Sequence, residues 1–182
     1  LFNALNTVYF QIDESNKAPR RTLGMISELL RYQLYGGNQK VSILQEIDYL
    51  KTYIALRKLR MSERLRLRVE FPPELNELNI YPLLFLPLVE NAFKYVGGDY
   101  QLDIIMKWEN NRISLFIRNS IPELSAEDEA LRKSVDERQR KGIGLVNLRR
   151  RLSLLYPNKH RLETRKEETE FVAELMIEIE DI

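Results

Sequence analysis

The stretch PLVENAFKY, residues 87–95, decides how the fold of this chain is interpreted. An apolar run, LLFLPLV, overlaps its start, and together they predict a buried helix over about residues 83–95. Three polar side chains nevertheless lie on this helix: Glu90, Asn91 and Lys94. Burying a carboxylate, an amide and an ammonium group costs free energy unless each one is paired. We therefore expect these groups to pair with one another or with a ligand.

The composition indicates a soluble globular protein. Of the 182 residues, 44% are hydrophobic and 30% are charged, with a formal net charge of +1, so we expect no nucleic-acid partner. The chain has no cysteine, which excludes disulfides and thiolate metal sites, and its single histidine argues against a multi-histidine metal site. The longest apolar run, residues 80–89, is too short to cross a bilayer, so we expect the chain not to be membrane-embedded.

The first part of the chain predicts a hairpin of two helices. Apolar residues recur there every three or four positions in two stripes, which are Leu1, Leu5, Val8 and Ile12, then Leu23, Ile26, Leu30 and Leu34. A segment around Pro19 separates the stripes, and Gly36 and Gly37 end the second one. Such a hairpin needs a packing partner from the rest of the chain or from another copy.

The remainder predicts a mixed helix and strand domain. Ser42 and Gln45 have the spacing of a capping box ahead of a helix that reaches about residue 60, and another helix follows Gly144. Alternating apolar and polar residues predict strands over about 65–71, 102–108, 112–118, 161–166 and 171–179. This order indicates an α+β fold, in which helices cover one face of a mostly antiparallel sheet.

Two features of this domain suggest a phosphate ligand. Asn91 and Lys94 share a helix face, and an amide oxygen suits Mg²⁺ while an ammonium group neutralises phosphate oxygens. Gly142 and Gly144 precede the later helix, where a close backbone approach and free N–H groups favour anion binding. The polar segment 122–141 lies between them in the sequence, placed to act as a lid. The set predicts a site for a magnesium-bound polyphosphate.

Three motifs follow one another along the chain: LFNALN, PLVENAFKY and GIGLVNLRRRLSLLY. They resemble, in turn, the segment after the phosphoacceptor histidine, the N-box and the second glycine box of LytS-type sensor histidine kinases. The stretches LLRYQLYG and DYLKTYIALRKLRM match the same family, so the resemblance covers nearly the whole chain. It implies a two-layer α/β sandwich of the Bergerat type, preceded by a helical hairpin from the dimerisation domain.

The resemblance also implies roles for individual residues. Asn91 would coordinate Mg²⁺, Lys94 would contact the phosphates of ATP, and Glu90 would lie beside the metal ligand in the catalytic group. The resemblance implies that Gly142, Gly144 and Leu145 contact the cofactor at the glycine box. The two glycines would let the lid close over the phosphates. Asn119 falls where the family often has an aspartate that reads the adenine amino group.

Several positions depart from the family pattern. Asn119 begins Asn-Ser-Ile-Pro where Asp-any-Gly is usual, and its amide oxygen would accept a hydrogen bond without charge, so we expect weaker base recognition. Tyr95 stands where histidine is common, and Pro87 occupies the place of the catalytic glutamate of gyrase-like ATPases, which disfavours direct ATP hydrolysis. The phosphoacceptor histidine would lie two residues before Leu1. We expect His160, in a loop, to be structural or merely exposed, and not to accept phosphate.

We interpret residues 1–37 as the remainder of the dimerisation hairpin and residues 38–182 as the ATP-binding catalytic domain. The parent kinase would pass the γ-phosphoryl group of ATP to a histidine and then to an aspartate of a response regulator. Expected partners are ATP, Mg²⁺, a response regulator and a second copy that completes a four-helix bundle. Because the chain begins with Leu1 and not with Met, we expect it to be a piece of a longer protein. The resemblance implies the cytoplasmic part of a bacterial inner-membrane sensor, and without the phosphoacceptor histidine we expect this piece to be unable to autophosphorylate.

Two alternatives remain open from the sequence. The first is a degenerate kinase domain that keeps the fold, has lost nucleotide affinity and acts as a signalling scaffold. The second is an interaction module without a ligand, in which Asn91 and Lys94 are exposed and contribute only to surface charge.

Overall fold

A computed structural model describes residues 2–35, 39–73, 75, 78–123 and 143–179. The chain divides into two compact units, one formed by Leu1–Met61 with Asn76–Leu83 and the other by Ser62–Leu75 with Leu84–Ile182. In the part of the chain that is described, none of the helices has both the length and the apolar character of a bilayer-crossing segment. The division into domains after residue 37 stays a prediction.

The described helices and strands follow the predicted order. They are α1 (Phe2–Gln11), α2 (Lys17–Tyr35), β1 (Val41–Ser42), α3 (Ile43–Lys58), β2 (Arg66–Glu70), β3 (Asn79–Ile80), α4 (Leu86–Tyr95), β4 (Gln101–Glu109), β5 (Arg112–Ser120), α5 (Ile143–Leu155), β6 (His160–Lys166) and β7 (Glu170–Glu178).

The first unit consists of three helices and a small ladder. Helices α1 and α2 contact each other as the predicted hairpin, and α2 also contacts α3. The predicted capping box at α3 is confirmed, because the Ser42 hydroxyl accepts a hydrogen bond from the N–H of Leu44 and the N–H of Ser42 donates to Gln45. Strands β1 and β3 pair antiparallel, which the sequence did not predict because two residues show no alternation.

The second unit has two layers, a five-stranded sheet and a layer of helices. The strand order is β2-β4-β5-β7-β6, in which only the β2–β4 pair is parallel, so the predicted mostly antiparallel sheet is confirmed. Helix α4 contacts β4 and β5, while α5 contacts β6 and α4, so the two helices lie together on the sheet. The turn between β4 and β5 lies at Asn110 and Asn111, whose φ angles of 51° and 57° are those of a tight hairpin turn.

The inner face of this sheet forms the core of the second unit. Its buried side chains alternate along the central strands, and they are Leu102, Ile104, Met106, Ile113, Leu115, Ile117, Ala173, Leu175 and Ile177. The same alternation along β5 carries Asn119 onto this inner face, paired in register with Leu102 on β4 and Phe171 on β7. The fold therefore places one amide side chain among apolar neighbours.

Candidate functional site

Helix α4 carries the polar residues of the PLVENAFKY stretch. Pro87 lies in its first turn, where a missing N–H is tolerated, as the sequence predicted. The apolar side of the helix is buried, whereas Glu90 and Lys94 are exposed and Asn91 is half-buried. The prediction that all three polar groups are buried is therefore wrong. The apolar run covers one side of the helix only, and the 3.6-residue period carries positions 90 and 94 to the other side.

The exposed position of Lys94 leaves its ammonium group accessible to an anion from solvent. Its Nζ lies 5.0 Å from the centroid of the Tyr95 ring, a distance at which a cation interacts with an aromatic face. Exposure is also what a ligand-free interaction module predicts for Lys94, so this residue alone does not separate the alternatives. The buried neighbour of α4 on strand β5 is more informative.

Asn119 is that buried neighbour, with 1% of its surface exposed. Its Nδ2 donates to the carbonyl of Ser120 at 3.2 Å, which fixes the orientation of the amide, since the reverse orientation would oppose two oxygens. Its Oδ1 is buried and accepts no hydrogen bond from any residue that the structure describes. A buried acceptor without a donor costs about 1–3 kcal/mol, so this oxygen is suited to a ligand that supplies an N–H group.

Ser120 ties the end of β5 to the segment that follows α4. Its hydroxyl donates to the carbonyl of Gly97 at 2.6 Å and accepts from the N–H of Gln101 at 2.8 Å. Its carbonyl accepts from the N–H of Gly97 at 3.0 Å, in addition to the Asn119 amide. No sequence pattern predicted this role of Ser120, because a serine in a strand is ordinary. The contacts hold the C-terminal end of α4 beside Asn119.

The glycines that follow α4 allow this close approach. A Cβ at Gly97 would lie 2.9 Å from Cδ of Pro122, which is too short for a carbon contact. Gly98 has a φ of +60°, and a Cβ there would meet the carbonyl oxygen of Ile121 at 3.0 Å. These two glycines are therefore explained by chain packing, without a ligand.

The glycine box is described only in part. Gly142 and most of the predicted lid, residues 124–141, lie outside the described residues. Gly144 is exposed in the first turn of α5, a Cβ there would meet no described atom within 4 Å, and Leu145 is half-buried. The predicted helix is confirmed, and the role of its first turn in anion binding stays a prediction.

Two further observations limit the chemistry available. The described residues contain no group of three or more His, Cys, Asp or Glu side chains that could hold a metal ion. An amide oxygen, such as that of Asn91, is a hard ligand of the kind that suits a divalent cation bound with phosphate groups. His160 begins β6, and is not in a loop as predicted; its Nδ1 lies 2.7 Å from the carbonyl oxygen of Tyr156, where a ring N–H can donate.

Comparisons with known proteins bear on this fold and site. A profile of the family described as Histidine kinase matches residues 1–65. Over 167 residues the chain is 28% identical to the sensor protein kinase HptS of Staphylococcus aureus strain USA300, an alignment that covers 89% of this chain and 32% of that protein. The chain is similar to sensor histidine kinases over most of its length. It spans about a third of the length of these curated kinases, so the activity of the whole protein is treated as a proposal below.

Solved structures show the same fold. The histidine kinase domain of the blue-light-activated kinase EL346 from Erythrobacter litoralis superposes with a TM-score of 0.54 at 13% identity, covering 98% of this chain and 94% of that one. The ShkA protein, described in complex with AMPPNP, superposes with a TM-score of 0.52 at 13% identity, covering 87% of this chain and 35% of that one. The α+β histidine kinase fold is therefore established for this relative of the sensor kinases.

Proposed function

We propose that the second unit binds magnesium-ATP and is the catalytic region of a two-component sensor histidine kinase. The observation that carries this proposal is the Oδ1 atom of Asn119, a buried acceptor that no described residue engages. The exocyclic amino group of adenine supplies the N–H donor that this oxygen lacks. Guanine presents a carbonyl oxygen at the corresponding position, which Asn119 Oδ1 would repel, so we expect ATP to bind better than GTP.

The remaining site residues have complementary roles in this proposal. Asn91 supplies an amide oxygen for Mg²⁺ bound with the phosphates, and the exposed ammonium group of Lys94 neutralises phosphate oxygens. Glu90 lies beside Asn91 on α4 and is exposed, so we place it next to the metal ligand in the catalytic group. Gly144 and Leu145, with Gly142, keep the start of α5 open to the nucleotide.

Catalysis by these residues rests on positioning and on charge neutralisation. Bound Mg²⁺ would supply further neutralisation of the phosphate charge. The γ-phosphoryl group would pass to a histidine that this chain does not supply, and from there to an aspartate of a response regulator. The hairpin of α1 and α2 would pair with a second copy in a four-helix bundle. We place the parent protein in the inner membrane of a bacterium, with this part on the cytoplasmic side.

Calorimetric titration with ATP, with and without Mg²⁺, tests the proposal. Wild type should bind ATP more tightly with Mg²⁺ than without it. Asn91→Ala should lose this gain, so that its ATP affinity in the presence of Mg²⁺ falls about tenfold or more below that of wild type, which is about 1.4 kcal/mol. Asn3→Ala is the matched control, because Asn3 is an exposed asparagine on helix α1. Failure of the folded wild-type chain to bind ATP would reject the proposal and favour a scaffold.

Gly144→Ala tests the glycine box in the same titration. A Cβ at Gly144 meets nothing within 4 Å, so the substitution should leave the fold intact. Weaker ATP binding would then report crowding of the phosphates alone. Gly24→Ala is the control, because Gly24 also lies in a helix with nothing within 4 Å of a Cβ. Equal ATP affinity of both variants and wild type would contradict the role of Gly144.

A further inference from the structure

The hydroxyl of Ser120 bridges both ends of the connection between α4 and β4. It donates to the carbonyl of Gly97, near the start of that connection, and accepts from the N–H of Gln101, the first residue of β4. The carbonyl of Gln101 is farther away, at 3.4 Å, so the single hydrogen of the hydroxyl is directed to Gly97. One buried side chain on β5 therefore closes a loop between two other elements of the second unit.

A second hydrogen bond joins Ser120 and Gly97 in the opposite direction. The N–H of Gly97 donates to the carbonyl of Ser120 at 3.0 Å, while the Ser120 hydroxyl donates to the carbonyl of Gly97 at 2.6 Å. A single hydrogen bond lets two residues pivot about it, whereas a pair of bonds fixes their relative orientation. The carbonyl of Gly97 also accepts from the N–H of Tyr100 at 3.1 Å, so it keeps one donor when the hydroxyl is removed.

The carbonyl of Ser120 sets which atom of the Asn119 amide is left for a ligand. Nδ2 of Asn119 donates to it at 3.2 Å, at the long end of the usual range, and Oδ1 remains the buried acceptor without a described donor. A carbonyl oxygen has two lone pairs, so it accepts from Gly97 and Asn119 together while both donors stay in place. If this carbonyl turns away, half a turn about the Cβ–Cγ bond of Asn119 puts Nδ2 where Oδ1 lies.

We propose that Ser120 is a specificity-determining residue of the nucleotide site, because its hydroxyl holds Gly97 and thereby fixes the orientation of the Asn119 amide. Ser120 acts through Asn119 and is a positioning residue. With Oδ1 directed to the base, the site accepts from an exocyclic amino group and repels a carbonyl oxygen; with Nδ2 there, the preference reverses. The choice of nucleotide rests on the proposed function, but the hold on the amide is measurable without nucleotide.

Hydrogen exchange of the Asn119 side-chain NH₂ group, followed by NMR on the nucleotide-free chain, tests this hold. Asn119→Leu identifies the signal by removing it. Ser120→Ala should speed the exchange about tenfold, because the carbonyl that accepts from Nδ2 is no longer fixed. Ser120→Cys should do the same, since its thiol fills the space but is a weak donor and acceptor. Ser114→Ala, at a half-buried serine on the same strand, is the matched control and should change nothing.

Titration of the same variants with ATP and with GTP tests the specificity. The ratio of ATP affinity to GTP affinity should fall about tenfold in Ser120→Ala and Ser120→Cys, and should keep its wild-type value in Ser114→Ala. If Ser120→Ala does not fold, Ser120→Cys gives the same comparison. An unchanged ratio, with both nucleotides weakened equally, would mean a purely structural role and overturn the proposal.

Equal exchange of the Asn119 amide in the Ser120 variants and in Ser114→Ala would also overturn it. If the folded wild type binds neither nucleotide, the proposed function fails. The exchange measurement then still decides whether Ser120 holds the amide of Asn119.

Discussion

Glu46 in the first unit and Asn119 in the second are both polar and both buried, yet their hydrogen bonding differs. Glu46 accepts two hydrogen bonds through one oxygen, from donors that are 14 and 37 residues away in the sequence. Asn119 uses its amide nitrogen on the adjacent residue and leaves its oxygen without a described donor. A buried polar group with distant protein donors supports the architecture. The Asn119 oxygen, which lacks a described donor, is the atom to which the proposed function assigns the adenine amino group.

This difference in hydrogen bonding also predicts what the fold loses when the polar atoms of each side chain are removed. Removing Glu46 leaves two donors, the Tyr32 hydroxyl and the Leu83 N–H, without the oxygen that they share. Removing the Asn119 amide leaves only the Ser120 carbonyl, which still accepts from the N–H of Gly97. Substitution of Glu46 by leucine should therefore lower the free energy of unfolding. Substitution of Asn119 by leucine should instead weaken ligand binding and leave stability nearly unchanged.

The largest effect is expected for Glu46→Leu. The free energy of unfolding should fall by about 3 kcal/mol, because two donors lose the acceptor that they share. Urea denaturation followed by circular dichroism measures the change. A loss below about 0.5 kcal/mol would mean that Glu46 is not needed by the fold, and the contrast with Asn119 would disappear.

Asn119→Leu should act on ligand binding instead. Replacing a half-paired buried amide by an apolar side chain of similar size is nearly neutral for folding, so stability should stay within about 1 kcal/mol of wild type. ATP affinity should fall by about tenfold, because the adenine amino group loses its acceptor. Calorimetry and urea denaturation on the same preparation give both values. A large loss of stability with unchanged ATP affinity would instead class Asn119 with Glu46.

The smallest effect is expected for Asn119→Asp, and it depends on pH. Burial among apolar neighbours raises the pKa of the new carboxyl group in the folded state above that in the unfolded chain, which is about 3.9. Between those two values the folded state binds more protons, so the variant loses stability as pH rises, by about 1 kcal/mol from about pH 4 to pH 7 relative to wild type. Denaturation across that range tests the sign. Stability that rises with pH more than in wild type would show that protein donors surround position 119.

Several features of the fold could be predicted because they depend on residues that are near in sequence. The capping box at Ser42, Pro87 in the first turn of α4, and the tight turn at Asn110 and Asn111 follow from local geometry. The alternation of the strands likewise gave the α+β class and the mostly antiparallel sheet. The N-box and glycine-box motifs indicated the resemblance to sensor histidine kinases without reference to any contact.

Burial of the polar site residues could not be predicted in the same way. Hydrophobic content around PLVENAFKY suggested that Glu90 and Lys94 are buried, but the orientation of α4 on the sheet exposes them. Hydrophobic content also could not identify Glu46 as buried. In the sequence it is an ordinary charged residue on a helix, yet in the structure it is 0% exposed. Exposure depends on which side of a helix meets its neighbours, and that is decided by packing partners distant in the sequence.

The sequence by itself determined the helices, the five strands of the main sheet and their order, because period, capping and turn chemistry are local properties of the chain. The motifs separately indicated the resemblance to histidine kinases. Only the tertiary structure decided which polar atoms have partners. It placed Asn119 opposite Leu102 and Phe171 with an acceptor left over, and it brought Tyr32 and Leu83 to one oxygen of Glu46. Hydrogen bonds between residues far apart in the chain form only after the elements have packed, so no local pattern records them.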